Sequence, residues 1–157
     1  MSFVDVIRAR ASQRPRRIAF PETDDPRTIA AAQALAAAGV VHPVLIGPVA
    51  APVGCEVIDP GEHGLSDDVA AELLEIRGPK GMTEEQAAEH AASRLLVADA
   101  LVRWGRVDGC VAGAVHTTGD VVRGGAVSSS GGPLAVSTLS GVMLSDIFRR
   151  SMRPPAA

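Results

Sequence analysis

Residues 18–46 read I-A-F-P-E-T-D-D-P-R-T-I-A-A-A-Q-A-L-A-A-A-G-V-V-H-P-V-L-I. This stretch predicts two strands, Ile18–Phe20 and Val41–Ile46, with one helix between them. Asp24 or Asp25 caps the helix, and the proline that follows stands in the first turn, where a missing N–H does no harm. Because a helical crossover joins parallel strands, the stretch predicts the first unit of a parallel sheet.

The same strand–helix order continues along the chain, without hairpin signals such as Asn-Gly. We therefore predict an α/β fold, a three-layer parallel sheet with flanking helices, in one domain over residues 1–148 with a tail over residues 149–157. Ligands bind at the carboxyl ends of strands in such sheets, so the segments after Phe20, Ile46 and Ala112 are the first candidates for a site. The other predicted elements are a strand over Glu56–Ile58, a helix capped by Ser66 that runs towards Arg77, one long helix from the capping box of Thr83 and Gln86 to about Trp104, strands over Val107–Ala112 and Leu134–Leu139, and a strand or a helix over Gly141–Phe148.

Composition narrows the class of protein. The chain has 157 residues, 46% of them hydrophobic, and a net charge of −3, which fits one packed domain and argues against a protein that binds nucleic acid. Aromatic side chains are too few for base stacking, and no apolar run approaches membrane-spanning length. The arginines between Arg8 and Arg17 form either a solvated helix face or an arm that binds polyanions.

The two cysteines, Cys55 and Cys110, cannot build a disulfide framework. Their spacing to the histidines matches no metal site, and Cys110 stands in an apolar run as a small buried side chain. The N-terminus lacks the apolar core of a secretory signal. We therefore expect no bound metal and a reducing, cytoplasmic location.

The block Asp108–Arg123 reads D-G-C-V-A-G-A-V-H-T-T-G-D-V-V-R and carries most of the candidate chemistry. An apolar strand ends at Gly113, hydroxyl side chains follow, and a cation stands one turn further on. A free helix N-terminus beside a guanidinium attracts phosphate. The alternative is an ordinary strand–turn–helix in which Thr117 and Thr118 cap the helix and Arg123 is solvated. A dinucleotide-binding domain is disfavoured, because no G-x-G-x-x-G follows a strand and opens a helix.

Several separated fragments together resemble the phosphate acetyl/butyryltransferase (phosphotransacetylase) family, in the family's own order. The resemblance runs from about Arg17 to Arg123, and the block at Asp108 is its most specific part. The fragments are R-I-A-F-P-E at Arg17, D-P-R-T-I-A-A-A at Asp25, V-I-D-P at Val57, E-I-R-G-P-K-G-M-T at Glu75 and D-G-C-V-A-G-A-V-H-T-T-G-D-V-V-R at Asp108.

The resemblance implies transfer of an acyl group between coenzyme A and inorganic phosphate, with no metal and with coenzyme A as a substrate. It also implies a fold like part of the isocitrate and isopropylmalate dehydrogenases, with the active site in a cleft between two α/β domains. Two guanidinium groups there can hold phosphate in bidentate geometry while a thiolate attacks the acyl carbon. Matched by position, the substrate-binding residues are Arg77, Arg123, His116, Thr117, Thr118 and Lys80, with Lys80 as local positive potential and with structural capping as the alternative for His116 and the threonines.

The chain departs from the family in length. Only the N-terminal half of the pattern is present, the C-terminal segment with the proposed catalytic aspartate has no counterpart, and Gly124-Gly125 replaces the usual continuation. Two functions stay open: an acyltransferase that is active when another chain supplies the missing half, and a non-catalytic phosphate- or CoA-binding module or inactive remnant. An incomplete sheet exposes an apolar edge, so we expect a homodimer or a complementing C-terminal half as partner.

Overall fold

The computed structural model describes residues 2–62, 64–115, 137–139 and 142–144. Five helices lie in this part of the chain: α1 (Phe3–Ala11), α2 (Pro26–Ala37), α3 (Leu65–Arg77), α4 (Glu84–Ala91) and α5 (Arg94–Arg103). The strands are β1 (Arg16–Phe20), β2 (Val41–Ile46), β3 (Glu56–Ile58), β4 (Gly109–Cys110), β5 (Ser137–Leu139) and β6 (Val142–Leu144), and a 3₁₀ turn spans Gly78–Lys80.

The main sheet has four parallel strands in the order β3-β2-β1-β4. From β1 the chain adds β2 and β3 on one side and then returns to add β4 on the other side. The order of the strands therefore reverses between β1 and β4, which is the point where ligands bind in open parallel sheets. The strands β5 and β6 form a separate antiparallel pair.

Two apolar layers cover the two faces of the main sheet. Side chains alternate between the faces along a strand, so neighbouring residues of β1 and β2 enter different layers. Ile18, Phe20 and Leu45 pack with Ala32 of α2. On the other face, Ala19, Val44 and Ile46 join buried residues of α3, α4 and α5. The predicted parallel sheet with flanking helices is confirmed.

Side-chain caps set the first turns of three helices, and those of α2 and α4 are as predicted. Ser2 and Asp5 form a reciprocal capping box at α1, and Thr83 and Gln86 do the same at α4. Of the two aspartates before α2, it is Asp25 that caps: its Oδ1 accepts from the Arg27 N–H at 2.8 Å. Each cap satisfies a backbone N–H that the helix itself leaves without a partner.

Three predicted elements were wrong in detail. The long helix to Trp104 is two helices, because the chain breaks after Ala91 and restarts at Arg94. Ser66 does not cap α3: Gly64 holds the cap position, and the Ser66 hydroxyl donates instead to the Pro60 carbonyl at 2.9 Å. The strand predicted over 107–112 pairs only at Gly109–Cys110.

The predictions for the C-terminal part of the chain can be compared with the structure only in part. Strand pairing occurs at Ser137–Leu139 and Val142–Leu144, inside the segments predicted as a strand and as a strand or helix. The predicted domain boundary at 148 lies outside the described residues. Within the part that the structure describes, no helix has the length and apolar character needed to cross a membrane.

Arg17 connects β1 to β3 and to the start of β4 at the amino edge of the sheet. Its backbone N–H donates to Asp108 Oδ2 at 2.9 Å, and its carbonyl accepts from the Asp108 N–H at 2.7 Å. Its guanidinium contacts both carboxylate oxygens of Glu56, at 2.7 and 2.8 Å, and the carbonyl of Arg106. Arg16 also pairs with Asp108, at 3.2 Å. These two members of the basic cluster are therefore engaged in holding the sheet.

Candidate functional site

The carboxyl ends of β1, β2 and β4 meet at one edge of the sheet, and polar groups gather there. Glu22 and Thr23 follow β1, Gly47 follows β2, and residues 111–115 follow β4. The described residues therefore place a polar cluster at the predicted edge and beside the point where the strand order reverses.

Glu22 joins the exit of β1 to the exit of β4. Its Oε2 accepts from the backbone N–H groups of Gly113 at 3.0 Å and Ala114 at 2.7 Å, and its Oε1 accepts from that of Val115 at 3.0 Å. The residue is 5% exposed. Successive backbone N–H groups aimed at one point form an anion-binding concavity, and here the anion is a side chain of the same chain. Gly113 allows this path because its φ is 114°.

Thr23 and Arg94 form the second part of the cluster. The Thr23 hydroxyl donates to the Ile46 carbonyl at 3.0 Å and accepts from Arg94 Nη1 at 2.8 Å. The other terminal nitrogen of Arg94 pairs with Asp24. A cation at the start of α5 is thus held over the ends of β1 and β2.

Gly47 makes this approach possible. A Cβ there would lie 2.7 Å from the Thr23 hydroxyl oxygen and 3.0 Å from Cδ of Arg94, and its φ of 137° is one that other residues rarely adopt. Any side chain at this position would force the arginine and the threonine to move.

Asp99 lies in the middle of α5 and is half-buried. Burial raises its pKa from 3.8 to about 7. Its Oδ2 is buried and accepts no hydrogen bond within the described part of the chain. Burial also raises the pKa of the Cys110 thiol well above its usual value, and the nearby charges of Asp99 and Glu22 add to that rise. Cys110 is therefore a buried thiol rather than a reactive thiolate.

Of the six predicted substrate-binding residues, the described residues include Arg77 and Lys80. Arg77 ends α3 and is half-buried, and Lys80 is exposed in the 3₁₀ turn that follows. His116, Thr117, Thr118 and Arg123 lie outside the described residues. The convergence of Arg77 with Arg123 therefore stays a prediction.

Helix α3, which ends at Arg77, packs against α5. Glu72 pairs with Arg103, the last residue of α5, at 2.9 Å. The second half of α3 therefore packs against the last turn of α5.

Sequence reasoning assigned no role to Glu22, Arg94 or Asp99. Glu22 stands directly after a predicted strand, a position that could have marked it, but its partners are backbone groups 91 to 93 residues away and leave no trace in the side-chain pattern. Arg94 was hidden inside a helix predicted to be continuous. Metal-binding groups of three or more His, Cys, Asp or Glu are absent from the residues described.

The comparisons with known proteins show the family of this chain and its fold. The model of the family "Phosphate acetyl/butaryl transferase" matches residues 2–152. The chain belongs to this family. The resemblance found in the sequence is thereby confirmed, and the match extends beyond Arg17–Arg123 at both ends.

Relatives within the phosphate acetyl/butyryl transferase family are phosphate acetyltransferases. The protein of Deinococcus radiodurans is 36% identical over 128 residues, which covers 74% of this chain and 18% of that protein. The protein of Paracoccus denitrificans is 37% identical over 123 residues, covering 78% of this chain and 38% of that protein. The chain thus spans less than half the length of these relatives.

Solved structures of the family share the fold. A phosphotransacetylase from Streptococcus pyogenes superposes with a TM-score of 0.68 at 28% identity, over 79% of this chain and 42% of that one. EutD phosphotransacetylase from Staphylococcus aureus gives a TM-score of 0.66 at 29% identity, over 86% of this chain and 44% of that one. The α/β sheet described above is therefore the sheet of the phosphotransacetylases.

Proposed function

We propose that this chain provides the phosphate-binding part of a phosphate acetyltransferase, which converts acetyl-CoA and phosphate into acetyl phosphate and CoA. The family match across residues 2–152 carries this proposal. Identity of 36–37% to relatives named phosphate acetyltransferase supports the acetyl group as the acyl group. The fold relation to isocitrate and isopropylmalate dehydrogenases, with a cleft beside a second domain, is part of the same proposal.

In the proposed reaction the CoA thiolate attacks the carbonyl carbon of acetyl phosphate, a carbon–sulfur bond forms, and the carbon–oxygen bond to phosphate breaks. The guanidinium groups of Arg77 and Arg123 hold the phosphate and take up the charge that develops as it departs. His116 donates a hydrogen bond to a phosphate oxygen, Thr117 and Thr118 contact it, and Lys80 adds positive potential. No metal enters this scheme, and CoA acts as a substrate.

The activity test is formation of acetyl-CoA from acetyl phosphate and CoA. As its partner we propose a second copy of the chain or a complementing C-terminal half. Turnover is expected when a complementing chain is added to the folded protein. Absence of turnover in every combination would refute the enzymatic proposal. We place the protein in the cytoplasm, where acetyl-CoA is made and used.

The second candidate is a phosphate- or CoA-binding module without catalysis, or an inactive remnant. It requires only the phosphate contacts of the residues named above and no catalytic group. Calorimetric titration with phosphate and with CoA separates the two forms of this candidate, since a module binds and a remnant does not. An Arg123→Ala variant is expected to lose phosphate affinity, whereas Arg10→Ala, a change at an exposed arginine of α1, is expected to keep it. Equal affinity in the two variants would contradict the assignment of Arg123.

A further inference from the structure

The Glu22 carboxylate accepts hydrogen bonds from three successive residues of the segment after β4. Both of its oxygens are used: Oε2 by Gly113 and Ala114, and Oε1 by Val115. The contacts cross from the exit of β1 to the exit of β4, where the order of the strands reverses. In sequence, the next residue after Val115 is the first of the block predicted to bind phosphate.

Three N–H donors require two acceptor oxygens at this position, which a carboxylate provides. Hydrogen bonds from N–H groups to a charged oxygen are about twice as strong as those between neutral groups. Glutamine would present an NH₂ group to at least one of the donors, and aspartate is one methylene too short to keep the same reach. Since Glu22 is only 5% exposed, water has little access to replace a lost acceptor, and each orphaned N–H would carry a desolvation penalty.

The three donors are occupied by the protein itself. These N–H groups hold the main chain in its conformation and do not donate to a substrate anion. This separates Glu22 from a residue that touches phosphate: its influence on a ligand passes through the backbone that it holds.

We propose that Glu22 is a positioning residue for phosphate binding, which fixes the main chain of residues 113–115 directly before, in sequence, the block predicted to bind phosphate. This inference rests on the proposed function. It goes beyond that function because it assigns the affinity for phosphate partly to a buried carboxylate, a group that would by charge alone repel the ligand.

The experiment uses the full chain in four forms: wild type, Glu22→Ala, Glu22→Gln and the control Glu56→Gln. Glu56 is an exposed carboxylate at the amino edge of the sheet, so its loss tests charge removal away from the carboxyl edge. Circular dichroism checks folding, amide hydrogen exchange reports residues 113–115, and calorimetry measures inorganic phosphate binding. Formate is then added to Glu22→Ala, with chloride at equal ionic strength as the control, because formate can occupy the space of the missing carboxylate.

We expect faster exchange at the three amides in both Glu22 variants and phosphate binding weakened about tenfold or more, as for other displaced site elements. Formate is expected to restore slow exchange and most of the affinity in Glu22→Ala. A generic loss of packing would not respond to formate. If the alanine variant fails to fold, the glutamine variant decides, since it keeps the volume of the side chain.

Two outcomes would overturn the inference alone: wild-type affinity in the Glu22 variants, or tighter phosphate binding by Glu22→Ala, which would mean that the freed amides take the phosphate themselves. A wild-type protein that binds no phosphate would instead refute the proposed function, and with it this role of Glu22. The two failures are therefore distinguished by the wild-type titration.

Discussion

Replacement of Asp99 by asparagine should stabilise this protein at neutral and alkaline pH and leave it nearly unchanged in acid. Burial raises the pKa of this carboxyl from 3.8 to about 7, and its Oδ2 accepts no hydrogen bond among the described residues. The folded state therefore binds the proton more tightly than the unfolded state. Asparagine keeps the shape of the side chain and removes the charge that burial penalises.

The sign and the size of the pH effect on the free energy of unfolding follow from the difference in proton binding between the folded and unfolded states. Between pH 3.8 and about 7 the folded protein holds a proton on Asp99 that the unfolded chain has released, so the free energy of unfolding falls as the pH rises. Each pKa unit corresponds to about 1.4 kcal/mol, so the whole shift costs about 4 kcal/mol at pH 8. Well below pH 3.8 the penalty is absent, because Asp99 is then protonated in both states.

The assay is urea unfolding of wild type and Asp99→Asn between pH 4 and pH 8.5, with Glu89→Gln as a matched control at an exposed position of α4. The stability difference between Asp99→Asn and wild type should grow from near zero to about 4 kcal/mol across this range. The control difference should stay flat, since burial does not penalise a solvated carboxylate. A difference for Asp99→Asn that is independent of pH would refute the reasoning, because it would mean that the carboxyl ionises as easily folded as unfolded.

Three further changes test the carboxyl edge and a cap by urea unfolding. Gly47→Ala should lower the free energy of unfolding by about 2 kcal/mol or more, because the added carbon strains the backbone and collides with its neighbours. The control Gly78→Ala has an ordinary φ and no atom within 4 Å of the added carbon, so it should be nearly neutral. Equal effects of the two changes would contradict the steric argument. Thr23→Val should cost about 1–3 kcal/mol because a buried carbonyl and the Arg94 guanidinium each lose a partner, and an unchanged midpoint would count against those bonds. Thr83→Ala should cost about 1 kcal/mol by removing the capping box, and restoration of that loss by Thr83→Ser is the check.

The elements that could be predicted from sequence are those whose signals are local. Asp25 and Pro26 start α2, and alternation along β1 and β2 distributes their side chains between two layers, so the parallel unit could be derived from neighbouring residues. The same logic failed between α4 and α5. The apolar period continues through Ala91 and Leu95, and Ser93 makes no side-chain capping bond that would mark the break.

The sequence predicts where the site lies but not which residues form it. The edge at the ends of β1, β2 and β4 was expected from the order of elements alone. The role of Glu22 depends on backbone donors far along the chain, and that of Arg94 depends on a break between helices, so both require the tertiary structure. Asp99 occupies a helix position that is polar in sequence and buried only because α5 packs against its neighbours.

The two margins of the main sheet differ in how salt should affect them, and Arg17 is the reason. It reaches the β3 side through an ion pair with Glu56, in which the two side chains are 40% and 50% exposed, and it reaches the β4 side through its own backbone N–H and carbonyl, which contact the carboxylate and the N–H of Asp108. Counter-ions weaken contacts of the first kind and leave the second kind largely intact. We therefore expect rising ionic strength to weaken the two sides of the sheet unequally. Strand β3 should detach before β4, and the pairing of β1 with β4, beside the Glu22 carboxylate, should persist longer.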